Sequence, residues 1–168
     1  MRSHLLLFVS LAAFLAAPVS AAPTFVIRGD SDIGGFTLAH NGSLKAAIDI
    51  YGTPTTRQPF GDVCTVVWDN DGIKAQFFYM QPGACSPNAC HRESALTGKQ
   101  WRTAKGLHVG DTLQRLHKLY RHSRTFTGND WTLATRPFAG VRTPTLLATV
   151  KARRVVAFVV RSPWLFTC

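Results

Sequence analysis

The chain has 168 residues, which is enough for about one domain with a buried core. Hydrophobic residues make up 46% of the sequence and charged residues 17%, a composition that excludes wholesale disorder. Lys and Arg number 19 against nine Asp and Glu, so the formal charge is +10, a balance that attracts anionic groups.

The first residues predict a secretory signal peptide over residues 1–21. Arg2 precedes an apolar run, Leu5–Ala17, that is too short to span a bilayer as a helix. Val19-Ser20-Ala21 then offers the small residues that a signal peptidase reads. No second long apolar run follows, so we expect a soluble mature chain that is secreted or otherwise extracytoplasmic.

Four cysteines in a chain that is expected to be exported predict two disulfides. They are Cys64, Cys85, Cys90 and Cys168. Cys64 begins a predicted strand and Cys85 follows the return strand closely, which favours Cys64–Cys85 and Cys90–Cys168. A Cys85–Cys90 bond, which would leave Cys64 for Cys168, is the alternative. Zinc is not expected, because Cys85, Cys90 and His91 have no second ligand pair at a matching interval.

One segment of the chain occurs twice, as an internal repeat. Asn41–Tyr51 aligns with Gly110–Tyr120, and each copy spaces its apolar residues along one face of a helix. Ser43 and Thr112 occupy equivalent positions and are suited to cap the helix N-terminus. The sequence therefore predicts two amphipathic helices, one in each half of the chain.

Sequence typical of β-strands follows each predicted helix. In the first half, Val63–Trp68 and Ile73–Met80 flank a turn, Asp69–Gly72, and a short third strand is predicted at Ser94–Thr97. In the second half the predicted strands form a meander of three segments, Trp131–Arg136, Thr145–Val150 and Arg154–Arg161.

The fold class expected from these elements is α+β, a tandem repeat of an amphipathic helix followed by an antiparallel β-meander. The first repeat would cover residues 22–97 and the second residues 107–168. Residues 98–106 would connect them, and the two repeats would share one compact domain.

The helix pattern at Asn41–Pro54 resembles the helix motif of small bacterial envelope lipoproteins that assist outer-membrane assembly. It also resembles the helix of tandem-repeat β-lactamase inhibitor proteins. Trp101–Leu113 is similar to a stretch in uncharacterised secreted actinobacterial proteins. These resemblances imply a helix packed on an antiparallel sheet. The chain lacks the lipid-anchor cysteine of the lipoproteins and the docking loop of the inhibitors, so what they imply concerns the fold rather than an activity.

The sequence offers no coherent catalytic set. It has no G-x-S-x-G elbow and no H-E-x-x-H motif. Asp30 and Asp32 form a D-x-D pair, but the glycines around them favour a plain loop over a calcium site. His117 lies at the margin of the apolar helix face, which is typical of a packed or rim histidine. We expect no metal and no cofactor.

Clustered basic residues are the stronger functional signal. They lie on the second predicted helix, beside Trp101 in the connector and at a hairpin turn, and the candidates for anion binding are Lys99, Arg102, Lys105, Arg115, Lys118, Arg121, Arg153 and Arg154. A solvated basic surface without a ligand is the competing interpretation.

Two functional hypotheses follow from the sequence. The first is an exported, non-catalytic interaction module at the cell envelope or outside the cell, which binds an anionic polymer or an acidic protein. Export and the absence of a recognition-helix, RRM or OB signature argue against nucleic acid as that partner. The alternative is a small secreted hydrolase that uses Asp30, Asp32 or a histidine in a cleft between the two repeats.

Overall fold

The structure is a computed structural model that describes residues 24–38, 42–79 and 85–162. Within these ranges, a small sheet has four strands in the order β3-β2-β1-β8. The strands are β1 (Val26–Arg28), β2 (Asp32–Ile33), β3 (Phe36–Thr37) and β8 (Arg102–Thr103). β1 pairs in parallel with β8, and the other pairs in this sheet are antiparallel.

The second, larger sheet has eight antiparallel strands in the order β4-β5-β6-β7-β12-β11-β10-β9. Its first four strands in the chain are β4 (Thr56–Phe60), β5 (Val63–Trp68), β6 (Ile73–Phe78) and β7 (Cys90–Leu96). The other four are β9 (Arg124–Thr127), β10 (Asp130–Phe138), β11 (Val141–Lys151) and β12 (Arg154–Arg161).

The predicted fold class, a tandem repeat of a helix and a meander, is wrong. The described chain is mostly β, with two sheets and two short helices. The two predicted meanders are parts of one sheet, because β7 pairs with β12 and places Leu96 opposite Phe158. The segment predicted as a connector contains β8, which belongs to the small sheet.

Both predicted helices are present and both begin at the predicted caps. α1 spans Leu44–Tyr51 and α2 spans Leu113–Leu119. The Ser43 hydroxyl accepts a hydrogen bond from the amide of Ala46, and the Thr112 hydroxyl accepts one from the amide of Arg115, each at 3.2 Å. Each cap satisfies an amide that has no partner within its own helix.

The hairpin β5–β6 is present as predicted and carries the predicted disulfide. Cys64 lies opposite Phe77, and both side chains are fully buried. Cys64 is bonded to Cys85 across a Cα–Cα distance of 4.9 Å, which confirms that pairing. Cys90 is also disulfide-bonded. The predicted partner of Cys90, Cys168, lies outside the described residues, as does the predicted signal peptide over residues 1–21.

The two sheets share one hydrophobic core and are tied together by a buried carboxylate. Trp101 is fully buried just before β8, and its indole nitrogen donates to the carbonyl oxygen of Asp71 at 2.7 Å. Asp30, in the turn between β1 and β2, accepts two hydrogen bonds of 2.6 Å from Arg136 of β10. It accepts a third, also of 2.6 Å, from the hydroxyl of Thr145 of β11.

Candidate functional site

The predicted basic residues do not form one cluster, and two of them stabilise the backbone. Arg115 lies 3.0 Å from Asp111 and also donates to the carbonyl oxygen of Gly106 at 3.1 Å. Arg154 donates to the carbonyl oxygen of Gly110 at 2.9 Å. Both arginines therefore have structural partners, and neither needs a ligand to account for its position. Four others are exposed on separate elements: Lys99, Arg102, Lys118 and Arg153.

The remaining two, Lys105 and Arg121, line a cavity of about 300 Å³. The cavity lies between the segment after β8, the end of α2 and the strands β10 and β11. We call it the cationic pocket, and its other lining residues are Tyr120, His122, Ser123, Thr132, Leu133, Ala134, Thr135 and Arg142. Among these described residues there is no carboxylate.

Arg142 was not among the predicted residues, because its nearest basic neighbours in the chain are too distant to form a cluster. The β10–β11 hairpin brings it to the pocket. Its guanidinium donates to the hydroxyl of Thr135, on the neighbouring strand, at 3.1 Å. A guanidinium has five N–H groups, so four remain after this bond to reach a ligand. The contact orients Arg142 and leaves its charge uncompensated.

Lys105 is held in a comparable way by a neutral group. Its ammonium nitrogen lies 4.8 Å from the centre of the Tyr120 ring, within the range of a cation–π contact. Burial raises the pKa of Tyr120, and a hydrogen bond with the Thr103 side chain offsets part of the rise. The phenol is therefore neutral at physiological pH, and it positions the lysine without cancelling its charge.

The cations of the pocket differ from the other basic residues that the structure pairs. Five basic side chains in the described ranges lie within 2.6–3.5 Å of a carboxylate: Arg28, Lys45, Arg115, Arg136 and Arg161. Within the same ranges, Lys105, Arg121 and Arg142 make no ion pair with a carboxylate. Lys105, Arg121 and Arg142 are exposed, as are other basic side chains that make no ion pair in the described ranges, such as Lys99 and Arg102. What distinguishes the three is that they line one cavity.

The position of α2 explains only part of the positive charge of the pocket. The C-terminal end of a helix carries a partial negative charge, which favours basic residues there. That effect suits Lys118 in the last turn and Arg121 just after the C-cap, Tyr120, and of these two only Arg121 lines the pocket. The effect does not account for Lys105, which comes from the segment after β8, or for Arg142, which comes from β11.

A serine and a histidine meet at the edge of the pocket but do not form a nucleophilic site. The hydroxyl of Ser123 lies 3.4 Å from Nδ1 of His117, longer than a typical hydrogen bond between these groups. The His117 ring packs edge-to-face against Trp131 at 4.7 Å. No carboxylate in the described ranges orients this ring, whereas a serine nucleophile needs an oriented base.

Asp30 and Asp32, proposed for the hydrolase alternative, are not in the cationic pocket. Burial opposes ionisation of Asp30, but the hydrogen bonds from Arg136 and Thr145 outweigh it and hold the pKa of Asp30 below its ordinary value. Asp32 accepts a 2.8 Å hydrogen bond from the amide of Gly35. Both carboxylates therefore have structural partners. The described residues also contain no cluster of His, Cys, Asp or Glu that would hold a metal ion.

His91 is buried within β7. Its two ring nitrogens lie 2.7 Å from the Ser162 hydroxyl and 2.8 Å from the Ser94 hydroxyl. Burial lowers the pKa of His91 to about 3, so the ring is neutral at physiological pH. A base this weak does not activate a serine at neutral pH, and we interpret the trio as a structural hydrogen-bond network.

A second cavity of about 310 Å³ has a different electrostatic character. Arg161 and Glu93 form a 2.6 Å ion pair there, so part of its charge is internally compensated. Its other described lining residues are Arg92, Phe138, Thr143, Pro144 and Ser162. Of the two cavities, the cationic pocket is the better candidate for binding an anion.

Comparisons with known proteins do not assign the chain to a family. No protein-family model matches it, and no curated protein matches it. A crystal structure of an extracellular protein containing an SCP domain, from Bacillus anthracis str. Ames, is similar at 10% sequence identity with a TM-score of 0.45. The match covers 92% of this chain and 50% of that protein, so the chain spans half of its length. A likeness at this level does not assign a function to the chain.

None of the helices in the described ranges has the length and apolar character needed to cross a membrane.

Proposed function

We propose that the protein is an extracytoplasmic, non-catalytic binding module that holds an anionic group in the cationic pocket. The observation that carries this proposal is the convergence of Lys105, Arg121 and Arg142 on one cavity whose described lining contains no carboxylate. Two of the three cations are positioned by neutral partners, the Thr135 hydroxyl and the Tyr120 ring.

Electrostatic repulsion among the three cations favours binding of an anion in the pocket. Like charges gathered at one cavity repel one another, and a bound anion relieves that repulsion. Cations that are already positioned lose less side-chain freedom when the ligand arrives, so more of the interaction energy appears as affinity. An anionic envelope polymer or an acidic protein provides suitable groups.

The disulfide supports an oxidising compartment for this activity. Cys64–Cys85 is the kind of bond that persists in exported proteins and is rare in the cytosol. Together with the signal peptide predicted over residues 1–21, it favours action at the cell envelope or outside the cell.

Hydrolysis receives less support from the same geometry. A paired-carboxylate mechanism needs two acids in one cleft, and the described lining of the cationic pocket has none. The Ser123–His117 contact has no orienting acid in the described ranges. The arrangement therefore favours holding an anion over cleaving a bond.

Two triple variants with the same change in net charge test the proposal. The pocket variant replaces Lys105, Arg121 and Arg142 with Gln, and the control variant does the same at Lys99, Arg102 and Arg153. Binding to immobilised dextran sulfate and polyglutamate is measured for both variants over a range of salt concentrations. We expect the pocket variant to lose at least about tenfold in affinity and the control to stay close to wild type.

Equal losses in the two variants would mean that binding follows net charge alone, and this would overturn the pocket assignment. Thermal melting of both variants shows whether each has kept its fold. Retained binding by a folded pocket variant would overturn the assignment as well.

A further inference from the structure

We infer that the group held in the cationic pocket is the terminal phosphate of a phosphomonoester that carries a small polar organic part. This inference rests on the proposed function and names the class of ligand for that site. Its basis is the balance of charge, donors and space among the pocket's lining residues.

The charge balance favours a dianion over a single carboxylate. Lys105, Arg121 and Arg142 supply three positive charges, and no carboxylate among the described lining residues offsets them. A phosphomonoester carries a charge of about −1.5 to −2 at neutral pH, whereas a carboxylate or a phosphodiester carries about −1. A monoanion would therefore leave about two of the three cations uncompensated.

The donors match a tetrahedral oxyanion with three free oxygens. Arg142 keeps four N–H groups after its bond to Thr135, and the planar fork of a guanidinium suits two oxygens of one phosphate. Lys105 adds three donors at a position favoured by its contact with the Tyr120 ring. The two side chains come from different parts of the fold, so they can approach separate oxygens of the same group.

The cavity is larger than a phosphate ion requires. A volume of about 300 Å³ corresponds to roughly ten water molecules at about 30 Å³ each. The remainder of the lining offers the Thr132 and Ser123 hydroxyls together with the apolar surface of Leu133 and Ala134. Such a surface suits a short chain or ring that bears hydroxyl groups, as in a phosphorylated sugar or polyol.

The test measures binding of four small anions by calorimetry or NMR titration: inorganic phosphate, glycerol 3-phosphate, sulfate and acetate. We expect glycerol 3-phosphate to bind most tightly and acetate at least about tenfold more weakly.

Arg142→Gln should lower phosphate affinity about tenfold or more, since it removes charge-assisted hydrogen bonds. Arg142→Lys keeps the charge without the fork and should retain only part of the affinity. Arg102→Gln, outside the pocket, is the control.

The source of the phosphate is distinguished with vesicles. Phosphatidylcholine vesicles that contain phosphatidic acid display a phosphomonoester on a lipid, and vesicles that contain phosphatidylglycerol display a diester. Binding to the first type only would place the ligand on a membrane. Binding to soluble glycerol 3-phosphate without either vesicle would place it in solution or on a polymer end. Either result supports the phosphomonoester.

Three results would overturn the inference, and they differ in whether the proposed anion-binding function survives. Equal affinity for acetate and glycerol 3-phosphate, with both lost in Arg142→Gln, would refute the phosphate while the anion-binding function survives. No binding of any of the four anions or of the polyanions would refute both. Phosphate binding that is unchanged in folded Arg142→Gln would refute the inference, because Arg142 would not hold the phosphate, while the triple pocket variant would still decide the anion-binding function.

Discussion

Replacement of Asp30 tests whether the two sheets depend on a single buried carboxylate. The Asp30 side chain is 9% exposed and receives three hydrogen bonds of 2.6 Å, two from Arg136 and one from Thr145. Asp30→Ala removes all three and leaves the fully buried Thr145 hydroxyl without its acceptor. Arg136 is 35% exposed and regains water, which reduces the loss. We expect the variant to lose about 2–3 kcal/mol of unfolding free energy.

The pH dependence gives the same contact an independent readout. The pKa of Asp30 is lower in the folded state than its ordinary value, so its charged form favours folding. The stabilisation is therefore complete above the unfolded pKa of about 3.9 and is lost as the pH falls from there through the folded pKa. Asp30→Asn keeps the shape of the side chain but cannot titrate. The difference in stability between wild type and Asp30→Asn should narrow in this acid range.

Urea unfolding followed by circular dichroism measures both effects, and the control is Asp49→Ala, which changes an exposed carboxylate. An Asp30→Ala midpoint equal to that of wild type would refute the idea that this carboxylate stabilises the packing of the sheets. A difference between wild type and Asp30→Asn that stays constant down to pH 2 would refute the assigned direction of the pKa.

Three further predictions concern the core. Leu44→Ala, at a fully buried position, should cost about 2–5 kcal/mol in urea unfolding, and Leu113→Ala, at a partly buried one, should cost less. Removal of the disulfide by Cys64→Ala with Cys85→Ala should lower stability by about 3 kcal/mol in the same assay. The pKa of His91 is lowered to about 3, so its neutral form stabilises the fold fully above about pH 6.5 and this contribution falls between there and pH 3. His91→Gln should lack that part of the acid titration when unfolding is measured across this range.

Local elements were predictable because their signals lie within short stretches of sequence. The alternation in Val63–Trp68 and the turn residues after it specify the β5–β6 hairpin, and its register brings Cys64 towards Cys85. Ser43 and Thr112 mark the helix starts because a hydroxyl at that position satisfies a free amide.

The arrangement of those elements was not predictable in the same way. β1, β2 and β3 have only two or three residues each, too few to show a period of two. The pairing of β7 with β12 joins distant parts of the chain and leaves no local pattern. The repeated helix sequence suggested a duplicated unit, but the capping and packing residues that repeat are those any helix of this type needs.

The candidate site was predictable in part. Lys105 and Arg121 were among the predicted basic residues, because they lie near other cations in the chain. Arg142 reaches the pocket through strand pairing, and clustering along the sequence does not reveal it. The β10–β11 hairpin brings Arg142 close to Thr135, but the predicted strands ended at Arg136 and resumed at Thr145, so Arg142 lay between them.

The β7–β12 pairing has a consequence for the order in which the chain folds. Most neighbours in the large sheet are also neighbours in sequence, so their hairpins close short loops at small entropic cost. β7 and β12 instead bring together residues as distant as Leu96 and Phe158. We expect the hairpins on either side to form first and this pair to associate late, which makes it the slow step. In an exported chain, one edge of β7 would stay unpaired until β12 has also crossed the membrane.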